Sequence, residues 1–185
     1  AMCDLRTGRG EESAVAKIDL LMNKAGITPA FNPTVQASLD KAEATGMPAV
    51  AIELPDGRVI TGKTSALLGA SSAALLNALK AVAGIDDSVH LIAPEVIEPI
   101  QHLKVEHLGN HNPRLHTDET LIALSISAVT DPNAERAMEH LAELAGCDAH
   151  STVILSQVDT DVFRKLGVNM SCEPTYQTKK LYHKR

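Results

Sequence analysis

The stretch Ala49-Val-Ala-Ile-Glu-Leu-Pro-Asp-Gly-Arg-Val-Ile-Thr61 decides the fold of this chain. Its Asp56-Gly57 pair lies between two runs of apolar and β-branched residues, which is the strongest short-range signal for a β-hairpin. A long, Ala-rich apolar helix is predicted directly after the hairpin, over residues 67–84. Residues 89–93 are then predicted to form a strand that is buried on both faces. Together these elements predict an α/β core.

Amphipathic patterns extend this core in both directions along the chain. Helices are predicted over residues 11–24 and 33–46, and we expect residues 1–46 to be a helical appendage left from an upstream domain. Residues 47–185 are expected to form the α/β domain, whose further helices begin at Thr117, Pro132 and Asp159 and whose further strands cover residues 150–156 and 168–172. The predicted fold is a layered α/β sandwich with a mixed sheet. Since the chain opens abruptly at Ala1, we expect it to be a fragment.

Composition and charge exclude several classes of function. The chain has 185 residues, of which 44% are hydrophobic and 22% charged, as in an ordinary globular protein. Aromatic residues make up only 2% and Trp is absent, so platforms for stacking single-stranded bases are not expected. A net charge of -6 opposes attraction to phosphate backbones, and only residues 179–185 form a basic run. We therefore expect no nucleic-acid partner.

The cysteines and the hydropathy pattern predict a cellular location. Cys3, Cys147 and Cys172 are odd in number and far apart, which argues against a disulfide framework and for a reducing compartment. No apolar run approaches the length of a membrane span, and no leader pattern is present. The sequence therefore predicts a cytoplasmic protein without membrane contact.

One segment matches the phosphate-loop pattern letter by letter. It is Gly57-Arg-Val-Ile-Thr-Gly-Lys-Thr64, but the β-branched Val59 and Ile60 are already assigned to the second arm of the hairpin. ATP binding is therefore not predicted. A narrower possibility is that residues 62–65 lie at the start of the following helix, where free N–H groups and the helix dipole favour an anion. The alternative is that Thr64 or Ser65 merely caps this helix and that Lys63 is solvated.

Residues 99–116 lack a convincing period and are predicted to form a loop that contains four histidines, His102, His107, His111 and His116. Their spacing is not that of a zinc-binding helix pair, and no cysteine pair accompanies them, so no metal and no cofactor are predicted. Together with Arg114, two of these histidines are suited to donate hydrogen bonds to a bound anion. A purely structural loop is the alternative.

The resulting hypothesis is half of an anion-binding pocket for a phosphorylated or carboxylated small molecule. Its six candidate residues are Lys63, Thr64, Ser65, His111, Arg114 and His116. No catalytic residue is identified, so the domain is an enzyme only if a missing part of the protein supplies the catalytic group. The alternative is a structural or assembly module that docks the missing amino-terminal part or a second subunit, including a homo-oligomer.

The segment 49–93 resembles the opening of the cytidine-deaminase-type fold. Zinc-dependent deaminases of that fold need a His or Cys with a Glu at the helix start and a later Pro-Cys-x-x-Cys. Between Thr64 and Lys80 there is no His, Cys or Glu, and Cys147 and Cys172 stand alone. The resemblance therefore implies a cytidine-deaminase-like topology without its zinc ligands.

Four motifs carry a closer resemblance. They are Leu54-Pro-Asp-Gly-Arg-Val-Ile-Thr-Gly-Lys-Thr-Ser65, His107-Leu-Gly-Asn-His-Asn-Pro-Arg-Leu-His116, His150-Ser-Thr-Val-Ile-Leu155 and Tyr176-Gln-Thr-Lys-Lys-Leu-Tyr182. In this order they resemble Uncharacterised Protein Family 0371, a bacterial family of unknown function. The resemblance implies that the chain is only the carboxy-terminal portion of the family's protein and that an amino-terminal domain is absent from it.

Overall fold

A computed structural model describes residues 1–177 of the chain. The basic run 179–185 and most of the motif 176–182 lie outside the described residues. The helices are α1 (Met2–Arg6), α2 (Glu12–Ala25), α3 (Pro33–Thr45), α4 (Ala70–Val82), α5 (Pro94–His102), α6 (Thr117–Ser127), α7 (Pro132–Glu139) and α8 (Gln157–Lys165). The strands are β1 (Ala49–Glu53), β2 (Val59–Lys63), β3 (Asp148–Ser151) and β4 (Asn169–Cys172). Short helical turns occupy Pro29–Phe31, Leu103–His107 and Leu141–Leu144.

The four strands form one mixed sheet in the order β2-β1-β3-β4. Strand β1 is antiparallel to both of its neighbours, whereas β3 and β4 are parallel. The predicted hairpin is confirmed, since Ile52 pairs with Ile60 and the Gly57 N–H closes the turn by donating to the Leu54 carbonyl. The sheet and its helices confirm the α/β class predicted from the sequence.

Both faces of the central strand are buried beneath helices. Val50 and Ile52 point to one face, where they share the main apolar core with α4. Ala49 and Ala51 point to the opposite face, because side chains alternate along a strand, and they are equally buried. Helix α3 packs against β1, β2 and β3. The result is a layered sandwich in which the sheet is the middle layer.

The predicted strand over residues 89–93 is wrong. Leu91 and Ile92 are buried in the core, but the segment is irregular and joins no sheet. The turn before it explains the difference, because the Asp86 carboxylate accepts hydrogen bonds from the Ser88 N–H and hydroxyl groups. Such local side-chain bonds compete with extended structure. One of the elements behind the cytidine-deaminase resemblance is therefore missing, and that topology is not confirmed.

The predicted loop over residues 99–116 is also wrong in its first half, because α5 and the turn Leu103–His107 occupy it. Pro99 lies inside α5 and removes the N–H that would donate to the carbonyl of Glu95. Glu95 is exposed, so water can satisfy that carbonyl, while the buried Ile97 anchors the helix to the core. A proline is tolerated at such a position.

Helices α2 and α3 differ in how they are packed. Thr34, Val35 and Ser38 of α3 are buried, and the Asn32 side chain caps this helix by accepting from the Thr34 N–H. Helix α2 has no buried residue. The division of the chain at residue 46 stays a prediction. Within the described part of the chain, no helix is long and apolar enough to cross a membrane.

Candidate functional site

Two adjacent cavities lie where the starts of α4, α6 and α8 converge, and they share Asn112 and His116. The larger cavity has a volume of about 280 Å³, and its other lining residues are Lys104, Asn110, Asp118, Glu119 and Val158. The smaller has a volume of about 70 Å³, and its lining includes Thr64, Gly69, Ala70, Ser71, Arg114, Leu115, Ser156 and Asp159.

The start of α4 forms one wall of the smaller cavity. Gly69 precedes the helix, and its N–H group donates to the carbonyl of Leu115 at 3.2 Å. The hydroxyl group of Ser72 donates to the same carbonyl at 3.0 Å, which fixes this helix end to the chain before α6. The N–H groups of Ala70 and Ser71 belong to the first turn, and no residue of the described part of the chain accepts them. Two backbone donors are thus available beside the cavity.

The predicted placement of residues 62–65 at a helix start is wrong, because α4 begins at Ala70. The N–H of Thr64 donates to the Pro48 carbonyl at 2.9 Å, and that of Ser65 donates to the Leu68 carbonyl at 3.0 Å. Neither group is free to bind an anion. The Ser65 hydroxyl accepts hydrogen bonds from the N–H groups of Leu67 and Leu68. The residues between β2 and α4 therefore form a loop instead of a first helical turn.

The structure brings together three of the six predicted site residues. Thr64, Arg114 and His116 line the smaller cavity. Ser65 does not line this cavity, but its carbonyl accepts a hydrogen bond from Arg114 Nε at 2.6 Å and so orients the guanidinium group. Lys63 and His111 are exposed and line neither cavity.

His116 and Asp159 form the central ion pair of the site. His116 Nδ1 lies 3.1 Å from Asp159 Oδ2, and this hydrogen bond raises the pKa of the imidazole above its ordinary value. Burial opposes ionisation of Asp159, but hydrogen bonds from His116 and from the Thr117 N–H outweigh it and lower the pKa of the carboxyl group. The pair therefore favours an imidazolium beside a carboxylate. No described residue hydrogen-bonds to His116 Nε2.

Lys104 secures the loop that carries Arg114 and His116. Its ammonium group is buried and donates to the Arg114 carbonyl at 2.6 Å and to Glu119 Oε2 at 2.7 Å. The same Glu119 oxygen accepts from the His116 N–H at 2.9 Å. The charges of Lys104 and Glu119 are therefore paired with each other. Their hydrogen bonds to the Arg114 carbonyl and the His116 N–H hold the backbone of the loop in place.

Sequence reasoning missed Lys104, Glu119, Ser156 and Asp159. Two weak signals were present, because Glu119 follows His116 by three residues and Asp159 follows Ser156 by three, as in capping boxes. Nothing in the sequence marks Lys104, whose partners are 10 and 15 residues away.

Comparison with known proteins identifies the family. A family model described as "Domain of unknown function DUF1846, C-terminal" matches residues 30–182. The chain belongs to this family. A UPF0371 protein of Streptococcus pyogenes serotype M3 is 53% identical over 183 residues, which are 99% of this chain and 37% of the relative. A UPF0371 protein of Corynebacterium glutamicum strain R is 55% identical over 185 residues, which are 100% of this chain and 37% of the relative.

These relatives confirm the resemblance to Uncharacterised Protein Family 0371. The chain spans 37% of the length of the curated relatives it matches, and it corresponds to their carboxy-terminal portion. The family is described as one of unknown function.

The site of this DUF1846 domain places basic side chains next to the start of a helix. Arg114, His116 and the first turn of α4 supply positive charge and hydrogen-bond donors to one small cavity. Within residues 1–177, no group of three or more His, Cys, Asp or Glu is placed to hold a metal ion.

Proposed function

We propose that this domain binds the anionic group of a phosphorylated or carboxylated small molecule in the smaller cavity. The observation that carries the proposal is that the N–H groups of Ala70 and Ser71 lie at the same cavity as Arg114 and His116. A helix start offers partial positive charge and unpaired donors, which is the usual arrangement for binding a phosphate or carboxylate. Arg114 adds a planar guanidinium that matches these groups.

In this proposal, each of the two adjacent cavities holds a different part of the ligand. The smaller one, of about 70 Å³, suits a single anionic group, while the larger one, of about 280 Å³, suits the rest of the molecule. Asn112 lies at the junction and offers an amide to either part. The carboxylates of Asp118 and Glu119 line the larger cavity, so the ligand carries its negative charge at one end only.

Asp159 supports the site instead of opposing the anion. Its two carboxylate oxygens accept from the Thr117 N–H and hydroxyl at 3.0 Å each, from the Ser156 hydroxyl at 2.7 Å and from His116. A carboxylate saturated with donors holds the imidazolium of His116 in position. The proposed binding residues all line the smaller cavity. They are Thr64, Arg114 and His116 from the predicted set, together with Ala70 and Ser71.

Nuclear magnetic resonance titration with inorganic phosphate tests the proposal. The backbone amide signals of Ala70 and Ser71 should shift and saturate, because phosphate accepts hydrogen bonds from these two groups. Arg114→Ala should weaken phosphate binding by roughly 10- to 100-fold, the scale of a charge-assisted hydrogen bond. Affinity should also fall as the pH rises through the raised pKa of His116, because the imidazole then loses its charge.

Arg164→Ala is the matched control for this titration. Arg164 is an exposed arginine on α8 that pairs with Asp161 and lines neither cavity, so phosphate affinity should not change. The proposal is wrong if the two amide signals do not respond to phosphate, or if Arg114→Ala and Arg164→Ala bind phosphate as the unaltered chain does.

We also infer a cytoplasmic location. Cys3, Cys147 and Cys172 are all free thiols, which is the state of cysteines in a reducing compartment.

A further inference from the structure

Helix α2 is amphipathic, but its apolar face is only partly covered in the described structure, where Val15 and Met22 are half-buried and the rest of the face is exposed. At 100° per residue, this face is centred on Ile18 and is completed by Ala14, Val15, Leu21, Met22 and Ala25. Leu21 is 65% exposed and Ile18 is 44% exposed, and none of the 14 residues of the helix is buried.

A helix of this length gains little stability by itself. Isolated helices shorter than about 12–15 residues are marginal in water, and most helical stability in proteins comes from packing an apolar face. The exposed Ile18 and Leu21 side chains therefore indicate a partner surface. The helix is well terminated, since Gly26 adopts a left-handed conformation at its end.

The family comparison indicates which partner this is. The match to the carboxy-terminal family model begins only at residue 30, so α2 precedes the segment that this model covers. The curated relatives nevertheless align with this chain over 183 or 185 residues, which includes α2, and this chain covers only 37% of their length. Helix α2 thus belongs to the family protein but not to its carboxy-terminal domain model.

We propose that the apolar face of α2 packs against the amino-terminal portion of the family protein, the part that precedes the segment matched here. That portion is joined to the same chain, so its effective concentration at α2 exceeds that of a second copy in solution. The docked helix fixes the carboxy-terminal domain relative to the preceding portion. This inference is independent of the proposed anion site.

Hydrogen exchange measured by mass spectrometry tests the proposal in two proteins. In the 185-residue chain the amides of α2 should exchange at the rate expected of a fraying helix. In the full-length Corynebacterium glutamicum relative, the segment aligned with α2 should exchange at least about tenfold more slowly, because packing of its apolar residues must break before its amides open. Equal exchange rates in the two proteins would overturn the proposal.

A pair of leucines offers a matched control within α2. Leu20 is 55% exposed and lies on the side opposite Ile18, whereas Leu21 lies on the apolar face. In a protein that joins the amino-terminal portion of the C. glutamicum relative to Ala1, Leu21→Asp should restore fast exchange to α2, and Leu20→Asp should not. Equal effects of the two substitutions would contradict the proposal. The proposal would also be contradicted if sedimentation showed that the 185-residue chain forms a dimer and that Leu21→Asp abolishes this dimer. That result would assign the apolar face of α2 to a second copy of the chain.

Discussion

Gly62 explains why a phosphate-loop pattern occurs in a chain whose hairpin occupies the same residues. It pairs with Val50 in the sheet and faces α4, and a Cβ atom built on it would overlap the backbone of Ala73 and Ala74. The absence of a side chain lets α4 lie close against β2. The glycine of the pattern is thus required by packing between strand and helix, and its neighbour Lys63 is simply exposed.

Gly62→Ala should therefore lower the free energy of unfolding by about 1–3 kcal/mol, because the added methyl group pushes α4 away from the sheet. Urea denaturation followed by circular dichroism measures the change. Lys63→Ala, at the exposed next position, should change the unfolding free energy by less than about 0.5 kcal/mol. An alanine at position 62 that leaves the urea midpoint unchanged would show that the close approach of α4 is not required.

At the scale of elements, Asp159 joins two helices that are far apart in sequence. It lies in the first turn of α8, yet it accepts hydrogen bonds from the Thr117 N–H and hydroxyl groups at the start of α6. Its own N–H donates to the Ser156 hydroxyl, which caps α8. The buried carboxylate thus caps the start of α6, and it also accepts a hydrogen bond from the Ser156 hydroxyl that caps α8.

Asp159→Asn should destabilise the fold by about 2–3 kcal/mol, because an amide keeps only one acceptor oxygen and turns a donor toward groups that are donors themselves. Asp161→Asn is the control on the same helix. Among residues 1–177, Asp161 bonds only to Gln157 and Arg164 at the surface, so the corresponding loss should be within about 0.5 kcal/mol. Thermal unfolding of both variants measures the difference, and equal melting temperatures would contradict the linking role of Asp159.

The elements that could be predicted from the sequence are those defined by local chemistry. The hairpin follows from Asp56-Gly57, and α3 follows from the Asn32 cap, the proline after it and Gly46 at its end. The start of α4 could not be predicted, because Ala66, Leu67 and Leu68 before it are apolar and compatible with a helix. Their conformation depends on pairing of Leu68 with Leu115.

The same limit applies to the candidate site. Arg114 and His116 are recognisable because polar and basic residues gather in one short segment of the sequence. The partners that give them their geometry lie 43 residues away at Asp159 and 49 residues away at Ser65. A local sequence pattern does not reveal contacts between residues so far apart in the chain. The cavity and the part of its wall formed by the start of α4 therefore become visible only once α4, α6 and α8 are packed together.

For the molecule as a whole, two histidines give opposite dependences of stability on pH. His116 has a raised pKa, so its contribution to stability is complete below about pH 6.5 and is lost as the pH rises through its folded value. His150 lies in β3 between β1 and β4, where burial lowers its pKa despite the nearby carboxylate of Glu173. Their effects partly cancel in the stability of the unaltered protein.

His150→Gln should separate these two effects. Burial lowers the pKa of His150 in the folded protein and so favours its neutral form, with Nδ1 2.8 Å from the Ser171 hydroxyl and Nε2 3.2 Å from Glu173. The unfolded chain takes up a proton more readily as the pH falls below about 6.5. Acidification from about pH 7.5 to about pH 5.5 therefore favours unfolding through this residue. Urea denaturation at the two pH values should show a smaller acid-induced loss of stability in His150→Gln than in the unaltered chain. His90→Gln, at an exposed position, should keep the full loss. If His150→Gln keeps it as well, burial in the sheet does not hold this imidazole neutral, and the acid sensitivity arises elsewhere.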